Sequence, residues 1–263
     1  MVRRTVIPAW IAALLWFITA AQPAFCASGD DPVTQSIAPQ PRVMVFAFVG
    51  GFVHKDDARH PEVQLIRRLQ EAYPGLVESH VFENRRNKAA YRLIRQQLDA
   101  NHDGKLSEEE KHSARILLFG HSWGASATVF LARWLERDGI PVLLTAQVDS
   151  ITKIGQNDSV IPSNVREAVN FYQTRGWLHG QSRIKAADPS RTKILGNIKL
   201  SYDRQPEACN VYPWYDLLFT RPHTEIECDP HVWTQIEKLV RNQLSDSPTE
   251  SLIQLAVEPT QQK

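Results

Sequence analysis

Apolar positions along this chain fall into two recurring patterns, and the way they alternate predicts an architecture. Val43-Met44-Val45-Phe46-Ala47-Phe48-Val49 is an unbroken apolar run that stops at Gly50-Gly51. A run without a polar face predicts a strand buried on both sides in a parallel sheet. From about Pro61 to Tyr73, Val63, Ile66, Leu69 and Gln70 lie near one face of a helix, which Pro74-Gly75 closes. Val77 to Phe82 predicts a second strand, and Asn87 to Leu98 an amphipathic helix with Ala90, Leu93, Ile94 and Leu98 facing inward. Arg115 to Phe119 predicts another buried strand, followed by a small-residue helix from Ala125 to about Asp138 that Gly139 ends. Val142 to Val148 is a fourth strand ending at Asp149; weaker strand patterns cover Val165 to Gln173 and Lys193 to Tyr202. The last helix runs from about Pro230 to Leu244. Strands alternating with helices predict an α/β fold: a mostly parallel central sheet flanked by helices.

The two ends do not share this pattern. Arg3 and Arg4 precede an apolar run from about Val6 to Ala21 and a small-residue region around Ala24 to Ala27, the layout of a signal peptide over 1–27. The run is near sixteen residues, short of the roughly 20 that a membrane-spanning helix needs, so no stable span is expected after cleavage. A linker follows over 28–42, the folded domain over 43–244, and a solvated tail over 245–263. Cleavage near Cys26 or Ala27 leaves Cys209 and Cys228 as the pair in an exported chain, periplasmic or secreted, where they are expected to form a disulfide.

Composition adds limits. The 263 residues, 43% hydrophobic, suffice for one substantial core. Thirty basic against twenty-nine acidic side chains give a formal charge of +1. That balance predicts no nucleic-acid footprint, and a small neutral or amphipathic partner fits it better. Nothing in the chain specifies an oligomeric state.

The candidate chemistry begins at Gly120-His121-Ser122-Trp123-Gly124. A Gly-x-Ser-x-Gly pattern alone is weak. Here it lies between a buried strand and a helix, where a sharp turn strains the Ser backbone and lifts its hydroxyl above the sheet. The chain from about Val43 to Arg241 thereby resembles the α/β-hydrolase superfamily, and the pentapeptide is similar to the nucleophile elbow of lipases, esterases and thioesterases. The resemblance implies that an acid and a His follow Ser122 in chain order. Asp149, at the end of the next strand, is the expected acid, with Asp158 as its alternative. His223, in a Pro-flanked loop ahead of the last helix, is the expected base, contested by His231; His179 lies early for that role. The resemblance also implies an oxyanion site made by backbone N–H groups, those of Trp123 and of the Gly51-Phe52 turn. The expected activity is hydrolysis of a small or lipid-like carboxylic ester through an acyl-enzyme, with a thioester or amide as alternatives on the same triad. The aromatic-rich stretch from Val211 to Phe219, expected to be a loop between the two cysteines, is either an acyl-binding wall or lid or ordinary packing. A different class of reading is a non-catalytic, calcium-stabilised binding module on the same scaffold.

A second motif is independent of the first. Residues 99–110 match the twelve-residue EF-hand loop: Asp99, Asn101, Asp103, Ser107 and Glu110 offer oxygen side chains, Lys105 a carbonyl, and Gly104 the sharp turn. The pattern departs in its short exit helix and in lacking a second hand. Bound Ca2+ is expected to be structural, because the loop enters the amino end of a strand whose carboxyl end carries Ser122.

Overall fold

The computed structural model describes residues 43–245; the expected signal peptide, linker and all but the first residue of the tail lie outside the described residues. Strands β1 (Val43–Val49), β2 (Val77–Glu83), β3 (Ile116–His121) and β4 (Val142–Val148) occupy the predicted runs. β5 (Val160–Ile161) and β7 (Lys185–Ala186) pair only with each other. β6 (Val165–Tyr172) and β8 (Lys193–Lys199) complete the main sheet, whose six strands run in the order β2-β1-β3-β4-β6-β8 with every pairing parallel.

Helices cover both faces, which is why β1 carries no polar alternation. Met44, Phe46 and Phe48 of β1 pack toward α2 (Asn87–Leu98) and α4 (Trp123–Arg137), with Ala90, Ile94, Leu131 and Leu135. Val43, Val45 and Ala47 point the other way, toward α1 (Pro61–Ala72) and α6 (Pro230–Ser245), with Leu65, Leu69, Ile236 and Val240. The remaining described helices are α3 (Glu108–His112) and α5 (Trp214–Glu227). Among the described residues no helix is long and apolar enough to cross a membrane.

The strand order fixes where a site can form. After β1 the chain moves outward to β2, then returns to place β3 on the opposite side of β1. In a parallel sheet the crevice beyond the carboxyl ends of strands at such a reversal is the natural ligand position. Gly50 and Ser122 stand at those two ends, close enough that a Cβ on Gly50 would lie 3.0 Å from the Cβ of Ser122.

Three expectations are corrected. His223 is in a helix rather than a loop, because the chain kinks at Thr220 (φ −121°, ψ 18°) and Pro222 falls just past that kink. A proline costs little there, where the first turn of the restarted helix has no use for its missing N–H. The stretch expected as an aromatic loop instead leaves a short 3-10 turn, Glu207–Val211, and after a short link becomes the start of α5; the side chains of Tyr215, Leu217, Leu218 and Phe219 lie outside the described residues. In α1 the buried face is Glu62, Val63, Leu65, Ile66 and Leu69, while Gln70 is exposed.

Candidate functional site

Ser122 follows directly on β3 and precedes the first residue of α4, at φ 57° and ψ −126°. For a residue with a Cβ this left-handed conformation is costly, so it persists only where the surroundings impose it. They do so through close backbone packing. A Cβ on Gly124 would lie 2.0 Å from the carbonyl oxygen of Phe48, and one on Gly120 2.6 Å from the same atom. The glycines let helix α4 press against β1, and the turn between strand and helix tightens at Ser122. The Ser122 N–H donates to the carbonyl of Val148 at 2.9 Å, tying the turn to the end of β4.

Asp149 is the next residue after that carbonyl. It is fully buried at φ 42°, and its Oδ2 lies 2.7 Å from His223 Nδ1. Gln173 Nε2 donates to the same oxygen at 2.8 Å, and the Gly180 N–H donates to Oδ1 at 2.7 Å. Burial alone would raise the Asp149 pKa, but the His223 hydrogen bond and charge, with the Gln173 and Gly180 donors, bring it below the ordinary value. His223 shifts downward: burial disfavours its imidazolium and the neighbouring His121 adds to this, outweighing the support from Asp149.

The other candidates separate clearly. Asp158 is buried but accepts from Ser150 Oγ and, at 2.8 Å, from Thr152 Oγ1, so it ties its own loop. His231 is exposed in the first turn of α6, its N–H donating to Asp229 at 2.8 Å. His179 is exposed beside Gly180. Trp123 opens α4, where the first backbone N–H groups have no partner within the helix. Gly51, at φ 43°, and Phe52 form the turn after β1; the exposed Phe52 ring meets Trp123 edge-on, with centroids 5.6 Å apart. The Gly51 carbonyl accepts from Asn84 Nδ2 at 2.6 Å, which holds the turn in place. A cleft of about 400 Å3 opens beside Trp123, lined by Asn84, Ser126, Phe130, Trp134 and Lys153. Cys209 and Cys228 are joined in a disulfide, their Cα atoms 5.2 Å apart.

Sequence reasoning missed the layer beneath this surface. His121 is buried with its ring against that of His223, centroids 4.4 Å apart, and its Nε2 lies 3.2 Å from the His223 carbonyl oxygen. Its Nδ1 is 3.5 Å from Glu227 Oε1, the oxygen that also meets His60 Nδ1 at 2.6 Å. Burial would lower the His121 pKa, but Glu227 reverses this and raises it to about 9. Burial would push Glu227 up, yet the two imidazoles hold it well below the carboxylate range. Glu62 is fully buried beside them, and burial with the nearby Glu227 charge raises it to about 7. Two signals were available: His121 is inside the pentapeptide, and Glu62 is in register with Leu65, Ile66 and Leu69 on an apolar stripe.

The 99–110 segment forms the turn its sequence predicts. Asp103 and Gly104 N–H groups donate to Asp99 at 3.1 and 2.9 Å, and Gly104 has φ 80°. Glu110 accepts from the Ala100 and Ser107 N–H groups, both at 2.9 Å, and Ser107 caps α3. The donor types suit a hard cation. Among the described residues, however, the close three-group cluster of His, Cys, Asp or Glu is His60, Glu62 and Glu227; Asp99, Asp103 and Glu110 do not converge within the same 4.8 Å.

Strand order, elbow and chain order agree. The architecture is of the α/β-hydrolase type. No protein-family model and no curated protein matches the chain. Among solved structures it is similar to a putative hydrolase of the alpha/beta superfamily from Xanthomonas campestris pv. campestris, at 13% identity over 76% of this chain and 99% of that one, TM-score 0.38. A cutinase-like protein from Cryptococcus sp. is 13% identical over 79% of this chain and 97% of its own, TM-score 0.39. A dienelactone hydrolase-like promiscuous phosphotriesterase from metagenomic libraries is 14% identical over 80% and 88%, TM-score 0.40. Similarity at this level assigns no activity, which has to come from the site.

Proposed function

We propose that this protein is a serine hydrolase that cleaves carboxylic esters through an acyl-enzyme on Ser122, with His223 as base and Asp149 as its orienting acid. The observation that carries this reading is the buried Asp149–His223 Nδ1 contact of 2.7 Å beside a Ser held at positive φ. With Nδ1–H donated to Asp149, the tautomer of His223 leaves Nε2 free to accept a proton. The Ser122 hydroxyl loses its proton to Nε2 as its oxygen bonds to the ester carbonyl carbon. The Trp123 and Gly51-Phe52 N–H groups would receive the resulting oxyanion. Collapse expels the alcohol, which takes the proton from His223; water then repeats the sequence on the acyl-enzyme and frees the acid and Ser122. The cleft at Trp123 joins aromatic rings to Arg85, Lys88 and Lys153, which suits a small ester with an apolar part and accommodates an anionic one.

The mature protein is expected to hydrolyse short p-nitrophenyl esters, and Ser122→Ala to lower kcat by at least about 10^3-fold. Equal rates in the two proteins would overturn the assignment. Export is part of the same reading, supported by the disulfide. So is a structural Ca2+ in the 99–110 loop, supported by the donor set of Asp99, Asn101, Asp103, Lys105, Ser107 and Glu110. Calcium is then expected to raise Tm in wild type and not in Asp103→Ala; a Tm indifferent to EDTA and calcium would remove the ion from the account.

A further inference from the structure

Beneath the proposed triad, three ionisable side chains converge in a place closed to solvent. His60 ends the loop before α1, Glu62 is in the first turn of α1, and Glu227 is the last residue of α5; each is buried, and one ligand atom from each lies within 4.8 Å of the others. His60 and Glu227 satisfy one another at 2.6 Å. Glu62 does not fit so simply. It has no exposed surface, and neither of its carboxylate oxygens has a hydrogen-bond partner. An ionised carboxylate so placed lacks compensation for lost hydration, and a protonated one still lacks an acceptor for its O–H. Both needs end together if a cation occupies the gap.

We propose that His60, Glu62 and Glu227 form a binding site for a divalent transition metal, zinc being the best match. One imidazole nitrogen and two carboxylate oxygens suit zinc and do not suit calcium, which takes six to eight oxygens. Two carboxylates neutralise a dication, so the filled site carries no net charge if His60 is neutral. The ion replaces the hydrogen bond between His60 Nδ1 and Glu227, and binding therefore releases a proton when His60 starts protonated. His121, 3.5 Å from Glu227, stands at the edge of the site and links it to His223, whose ring lies tilted against its own with centroids 4.4 Å apart. The disulfide and Tyr212 close the far side: Cys228 follows Glu227, and the Tyr212 hydroxyl is 3.5 Å from His60 Nδ1.

This site stands on its own geometry and does not depend on the proposed reaction. Full-length protein produced with zinc in the medium is expected to retain about one zinc per chain by mass-spectrometric metal analysis, and Glu62→Gln less than a tenth of that. Removing the metal with a chelator should lower the wild-type Tm, with zinc restoring it. Cobalt(II) added to the stripped wild-type protein should give visible absorption bands of a low-coordinate site, a readout that holds even if Glu62→Gln fails to fold. Metal-free wild-type protein whose Tm and spectrum do not respond to zinc or cobalt would overturn the proposal. So would Glu62→Gln with unchanged metal content. A higher Tm in that variant, from a protein that never held metal, would show Glu62 to be only an unpaired buried acid.

Discussion

A histidine in the position of His223 is under opposed influences. Burial and the adjacent His121 disfavour its imidazolium, while Asp149 and, at greater distance, Glu227 favour it. The balance falls on the side of the neutral ring, so the pKa lies below the ordinary 6.5. A general base works only when neutral, so the sign is fixed: kcat/KM should be flat through neutral pH and fall on acidification with a midpoint under 6.5. A pH–rate profile with a midpoint above 7 would contradict the assignment of His223 or the electrostatics around it. At this scale the sequence was informative where chemistry is local. Ser122 and Asp149 were legible because each ends an apolar strand. His223 rather than His231 contacts Asp149, but the local reason for expecting it differs, since Pro222 begins a helical segment after a kink instead of marking a loop.

At the scale of elements, the elbow depends on the approach of α4 to β1. The Phe48 carbonyl occupies the space where a side chain at 124 would go, and backbone cannot move aside as a flexible side chain can. Gly124→Ala is therefore expected to lower Tm by several degrees or more and to reduce activity, because α4 must shift and carry Ser122 and Trp123 with it. A Gly124→Ala protein with wild-type Tm would show that the packing is looser than described. Strands and amphipathic helices were readable because their periods are local; Asn87 to Leu98 coincides with α2 at both ends. The inward face of α1 was misread because Glu62 is polar. It is buried beside His60 and Glu227, whose own contact spans 167 residues of chain, and no local pattern displays that.

For the whole molecule, the reversal of strand order between β1 and β3 gathers the turn at Gly51, the strained turn at Ser122 and the Asp149 carboxylate at the carboxyl ends of the central strands. Helix α5 brings His223 to the same end of the strands, and the disulfide from Cys209 fastens the end of that helix at Cys228. A mostly parallel sheet flanked by helices was foreseeable from the alternation of elements; its strand order was not. The meeting of α1, β3 and α5 beneath the surface was not, because it arises from packing across the molecule. The central claim is that this assembly makes Ser122 a nucleophile. Incubation with a fluorophosphonate probe, followed by peptide mass spectrometry, tests it without any assumption about the ester. The account predicts one phosphonyl adduct per chain, on Ser122, lost in Ser122→Ala and strongly slowed in Asp149→Asn; an unlabelled folded protein, or an adduct on another residue, would contradict it.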